Sequence, residues 1–312
     1  MRAAIIARAL AVALIVAACS PAAPPEPPAL PQSTAVYTGL GRETLGAHRS
    51  VFDIRFDGAF GWSYHLETRT DGEATEYLLH IDGVSPAHNP GDVRLVTRGG
   101  VSRMRGPGTN DECLQFPSDL DLGPVFMTPD DLIDPPRLSE ALTGTSPTAS
   151  DGDWLAEYSL RPDSLGQWRD PRIDLSRNEA SGSVLRYGLQ ASGPDPLFDA
   201  GEGSLTAEFS VTEIGAQTID PVAGCEIDLP LPGDATRLVK LPGLIAFEST
   251  MPSNEIAAFY QSALPAAGWE SVVEPQVGGE AIVLSFGRGG QTLDISILAK
   301  DGTQLVELWL GD

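Results

Sequence analysis

The chain has 312 residues with 43 acidic and 20 basic side chains, a formal charge of −23. A surface this acidic repels nucleic acid and anionic headgroups, so neither is an expected partner. Hydrophobic residues make up 42% and aromatic residues 7%, enough for a core or two, and the length exceeds what one small domain usually needs.

Residues Ala9 to Ala18 are apolar, with Arg2 and Arg8 before them. A basic flank, an apolar run of about 7–15 residues and a small-residue end describe a secretory signal, here residues 1–18. A membrane-crossing helix needs about 20 apolar residues, so the run is too short to be a permanent span. The ending Val16-Ala17-Ala18-Cys19 resembles the lipobox of bacterial lipoproteins. In that family the cysteine takes a diacylglyceryl group, the signal is cut before it, and the new terminus is usually acylated, often with palmitate. The resemblance implies lipidation at Cys19 and a place in the cell envelope, outside the cytoplasm, on the outer membrane where the host has one. The alternative is an ordinary signal with Cys19 incidental. Residues 19–34 then form a tether. Six of the twelve residues from Ser20 to Pro31 are proline, and such a segment extends at about 3.1 Å per residue.

With Cys19 lipidated, Cys113 and Cys225 remain as an even pair in an oxidising compartment, and a disulfide is expected between them. Two separate buried thiols are the other reading.

Residues 35–224 read as an antiparallel β domain. In SVFDIRFD, Phe52, Ile54 and Phe56 alternate with Asp53, Arg55 and Asp57; in AFGWSYHLETRT, Phe60, Trp62, Tyr64 and Leu66 alternate with polar or small residues. TEYLLHID, DVRLVTR, DWLAEYSL, SVLRYGLQ and SLTAEFSVTE repeat the scheme. Strict alternation means strands with one dry and one wet face, and the Asp-Gly pairs at 57–58, 71–72 and 82–83 fit hairpin turns. Residues 117–153 break the rhythm. Thr128 before Pro129, Asp130 and Asp131 is a helix start, so this insertion is expected to supply short helical pieces across the dry face. A loop at the sheet edge is the alternative.

A lipobox, a β meander, a mid-chain helical insertion and a second strand set together resemble the LolA/LppX-like half-barrel lipoproteins. That family wraps an antiparallel sheet around helical plugs and shelters acyl chains or lipidated clients. The resemblance implies that Phe52, Ile54, Phe56, Phe60, Trp62, Tyr64 and Leu66 line a hydrophobic ligand site. Read residue by residue, they fill a closed core instead.

The proline-rich stretch 221–236 marks a boundary, and residues 225–312 read as a small β-α-β-β-β domain. LIAFEST is a strand. Ser253 caps a helix whose Ile256, Phe259, Tyr260, Ala263 and Leu264 share one face, ended by Pro265 and Gly268. EAIVLSF, QTLDISIL and TQLVELWL follow as strands. The fold class is therefore α+β, mostly β: a curved antiparallel sheet with a helical insertion, then a small α+β domain.

None of the four histidines, His48, His65, His80 and His88, is paired at metal-ligand spacing in the sequence, so no metal is expected. Neither a nucleophile elbow, a P-loop, a dinucleotide fingerprint nor a zincin motif occurs. No catalytic residue and no cofactor are expected, and the chain does not read as an enzyme. The leading expectation is a membrane-anchored envelope lipoprotein that binds or carries a lipid or other hydrophobic ligand. The alternative is an adaptor that engages another envelope protein without a small ligand.

Overall fold

Alternating burial along the strands sets the architecture. In the computed structural model the described residues are 45–83, 91–106, 112–120, 126–133, 138, 141–142, 145–151, 155–162, 164–178, 181–198, 201–278 and 281–311. The expected signal, Cys19, the tether and His88 lie outside them.

Strand β1 (His48–Asp57) holds Phe52, Ile54 and Phe56 inside and leaves Asp53, Arg55 and Asp57 outside. It lies between β2 (Trp62–Thr70) and β12 (Glu202–Ile214), antiparallel to both. On one side the sheet continues through β3 (Ala74–Asp82), β4 (Asp92–Arg98), β5 (Val101–Arg105) and β6 (Leu114–Pro117). On the other it runs from β12 through β11 (Val184–Pro194) and β10 (Trp168–Asn178) to β8 (Leu155–Leu160), with short β7 (Ala149–Asp151) and β9 (Ser164–Leu165) at the margin. The sheet is antiparallel, curved and not closed, which fits a half-barrel.

The dry face is covered by the insertion, as the sequence reading expects. Its helix α1 (Pro129–Leu132) is one turn long, with Pro129 at its first position. The Asp131 carboxylate accepts from Thr128 N and Oγ1 at 2.7 and 2.6 Å. Met127, Leu132, Ile133 and Leu138 enter the core made by β1, β2 and β8 to β12.

The wet face is not wet throughout. Residues 219–225 lie over its β3–β4 region, where Ile219, Val222, Cys113 and Cys225 bury Ala74 and Val96. Cys113 and Cys225 are disulfide-bonded, 112 residues apart with Cα atoms 5.0 Å apart. Arg94 Nη2 donates to Asp220 O at 2.7 Å. Beneath this cover Glu76 is 3% exposed, although the alternation places it toward solvent.

The sheet runs on past residue 225 through a single register pair, Gln115 opposite Lys240, which joins β6 to β13 (Thr236–Leu241). From there the order is β14 (Leu244–Ser249), β19 (Thr303–Gly311), β18 (Gln291–Lys300) and β17 (Ala281–Arg288), with β15 (Glu270–Ser271) and β16 (Gln276–Gly278) at the far edge. Helix α2 (Ser253–Ala266) packs on this part through Ile256, Ala257, Tyr260 and Leu264, forming a second core. Ser253 sits inside the helix rather than capping it, with Oγ donating to Gln304 Oε1 at 2.6 Å, and Pro265 lies within the last turn.

Candidate functional site

Two large apolar interiors and a polar cleft stand out among the described residues. The first interior contains six of the seven residues assigned to it from the sequence. Phe52, Ile54, Phe56, Trp62, Tyr64 and Leu66 are all at most 3% exposed. They meet as cross-strand pairs: Phe52 with Leu66, Ile54 with Tyr64, Phe56 with Trp62. The exception is Phe60. It is 58% exposed, because residues 58–61 form the turn between β1 and β2 and the pleat does not extend through them. The alternation counted back from Trp62 crosses that turn, which is why the sequence placed Phe60 inside.

The insertion occupies this interior through hydrogen bonds to its backbone. Tyr64 Oη donates to Met127 O at 2.9 Å, Trp168 Nε1 to Leu132 O at 3.1 Å and Tyr187 Oη to Pro129 O at 3.3 Å. These bonds give carbonyls inside an apolar core the partners they require, since a buried unsatisfied group costs about 1–3 kcal/mol. Burial pushes the Tyr64 phenol above its ordinary pKa, so it stays a neutral donor. Phe56 stacks on Trp62 at 5.7 Å, and Tyr77 stacks on Phe126 of the insertion at 5.4 Å. The dry face is packed, with Ile133 and Leu138 fully buried in it.

The second interior differs in its polar atoms. Tyr260 Oη and Trp269 Nε1 are buried with no hydrogen-bond partner among the described residues, and the two residues are 0% and 1% exposed. Burial raises the Tyr260 phenol above its ordinary pKa. Arg288 lies over the indole of Trp269, 4.5 Å from the ring centroid. At the adjoining sheet edge the apolar surface opens to solvent: Val277, opposite Ile282, is 75% exposed and Val272 is 62% exposed. The sequence reading put Tyr260 on the buried face but did not single out either donor. The signal was available in the type of residue, because Tyr and Trp carry a donor that needs a partner when buried.

The polar cleft, about 530 Å³, lies on the outer face of β8, β10, β11 and β12. Arg161, Arg172, Arg186, Asp174 and Glu208 line it, and Gly188 leaves its floor without a side chain. The sequence reading did not find it, since its residues come from four strands. No helix among the described residues is long and apolar enough to cross a membrane.

No curated protein matches the sequence. Residues 239–303 match the family model "START domain-like", a lipid-binding fold family. The matched stretch runs from within β13 to the start of β19 and so covers most of the second interior, not the curved sheet around the insertion. A fold of this kind is compatible with a hydrophobic ligand.

Proposed function

We propose that the protein is a cell-envelope lipoprotein, held to its membrane by acyl chains on Cys19, that binds a lipid or other hydrophobic ligand. The observation that carries the reading is that two donors buried within the START domain-like stretch, Tyr260 Oη and Trp269 Nε1, have no partner among the described residues. An apolar guest bearing a carbonyl or carboxylate brings the kind of acceptor that these donors lack among the described residues, and each missing bond made is worth about 1–3 kcal/mol. The apolar edge at Val272 and Val277 offers a way in at which hydrophobic surface is already exposed.

A second location has its own support. The concave face of the first sheet is covered by the insertion, and a ligand that displaces it finds the apolar rows of β1 and β2. The exchange is demanding. Exposing Met127, Leu132, Ile133 and Leu138 costs about 1.5–3 kcal/mol each. A ligand must return that with on the order of ten buried methylenes at about 0.8 kcal/mol apiece.

The test is photo-crosslinking of the full chain with a diazirine-bearing long-chain fatty acid, followed by peptide mapping. Saturable labelling within residues 253–300 is the expected result, and labelling within 126–142 moves the site to the concave face. Absence of saturable labelling, together with lipid-free organic extracts of protein from its own membrane, overturns ligand binding and leaves the adaptor reading. The anchor is tested separately by the mass of the N-terminal peptide. An unacylated Cys19 overturns that part.

A further inference from the structure

On the outer face, four residues stand in one row across four strands. Asp53 of β1 is opposite His65 of β2, His65 is opposite His80 of β3, and His80 is opposite Asp92 of β4. Each histidine turns to its own aspartate. His65 Nδ1 lies 2.6 Å from Asp53 Oδ1, and His80 Nδ1 lies 2.7 Å from Asp92 Oδ1. Both imidazoles are about half exposed, at 48% and 54%.

We infer that His65 and His80 form a two-histidine binding site for a divalent transition metal of the zinc or copper class. An ionised carboxylate only accepts hydrogen bonds, so each Nδ1 carries a proton, and in a neutral ring so held Nε2 is the atom with the lone pair. Nε2 sits across the ring from Nδ1. The aspartates flank the pair on the outer strands, and with Nδ1 engaged there each ring leaves its Nε2 on the side away from its aspartate. Side chains directly opposite on neighbouring antiparallel strands have Cβ atoms about 4.5–5.5 Å apart, within reach of one shared ion. A carboxylate on the far nitrogen is the support that metal-bound histidines ordinarily have: it fixes the ring, selects the tautomer and raises the basicity of the ligating atom. Neutral imidazole nitrogen suits zinc and copper, whereas calcium and magnesium prefer oxygen.

Among the described residues, no group of three or more histidine, cysteine or acidic side chains is placed to hold a metal ion. The site therefore offers two protein donors, and water completes the coordination. It is accessible and open, as expected of a site that takes up and releases its ion.

The test uses the full chain freed of metal by chelation and then titrated with zinc chloride by calorimetry. Copper(II) provides a parallel spectroscopic readout. One equivalent is expected to bind, with electron paramagnetic resonance of the copper form showing two nitrogen ligands. His65→Gln and His80→Gln are each expected to weaken binding at least about tenfold, and the double variant to add little. Asp53→Asn is expected to weaken it about tenfold, the lower end for a supporting carboxylate. Binding that persists unchanged in the double variant, or a copper spectrum with oxygen ligands alone, assigns the ion to the many surface acids and overturns the inference. Failure of the parent chain to bind either metal overturns it as well.

Discussion

The indole Nε1 of Trp168 donates to the backbone carbonyl of Leu132, tying β10 to the one-turn helix whose Leu132 enters the first core. The indole fits because Gly193 on the neighbouring strand has no side chain. A Cβ there would lie 2.7 Å from Trp168 Cε3. Trp168→Phe is expected to cost about 1–3 kcal/mol by leaving the carbonyl unpaired, and Gly193→Ala to loosen the same contact by pushing the ring aside. Urea unfolding measures both. A midpoint unchanged in either variant means that the insertion does not depend on this bond.

The disulfide between Cys113 and Cys225 closes a long loop. Replacing both residues with serine is expected to destabilise by about 4–5 kcal/mol on the chain-entropy account. Thermal unfolding of the oxidised parent and the double variant provides the comparison, and coincident curves would show that the staple carries no stability.

Glu67 is squeezed between two arginines on the outer face, with Arg69 at 2.6 Å and Arg49 on its other oxygen. Burial raises its pKa, but the hydrogen bonds from Arg49 and Arg69 outweigh burial and hold it below the ordinary carboxylate range. A folded-state pKa below the unfolded value means the stabilisation is present above the unfolded pKa and fades as pH falls through the folded one. Glu67→Gln is expected to cost about 1–2 kcal/mol at neutral pH. That is less than a fully enclosed pair would lose, because the arginine side chains are 38% and 33% exposed. The penalty should shrink in acid, which unfolding curves recorded from neutral to acid pH will show.

Glu307 in the middle of β19 has the opposite sign. Burial pushes its carboxyl above the ordinary range, offset in part by the hydrogen bond from Trp309. Its ionised form therefore opposes folding at neutral pH, and the cost is relieved as pH falls through its folded value. Glu307→Gln is expected to raise the melting temperature by a few degrees at neutral pH and to make no difference in acid. A lower melting temperature at neutral pH would mean that the ionised carboxylate supports this strand.

Much of the sheet could be read from period-two alternation, and β1, β3, β4, β11 and β12 fall where the pattern placed them. Strand β10 was missed for a physical reason. Pro171 interrupts its apolar series, and the chain accommodates it with a shift of register between Arg169 and Arg172, where Asp170 takes a φ of +49°. A proline inside such a run ordinarily argues against a strand, and a bulge is the exception. Glu76 was placed in water because alternation sees one sheet at a time and not the segment that later lies over it. The pairing of His65 with His80 was equally hidden. Fifteen positions separate them, and only the β2–β3 register sets them face to face. The helix α2 was legible because its apolar spacing is local, whereas Trp269, which completes that core, lies beyond its end.

The covalent link between residues 113 and 225 also sets how the molecule bears load. Strands β7 to β12 all lie within the bridged loop. Tension drawn along the chain from one end to the other crosses directly from one sulfur to the other and bypasses them. A pull strong enough to strip β1 to β5 leaves the β12-to-β8 side of the first sheet slack, so the rows around Phe209 and Tyr187 are mechanically shielded while the bond is intact.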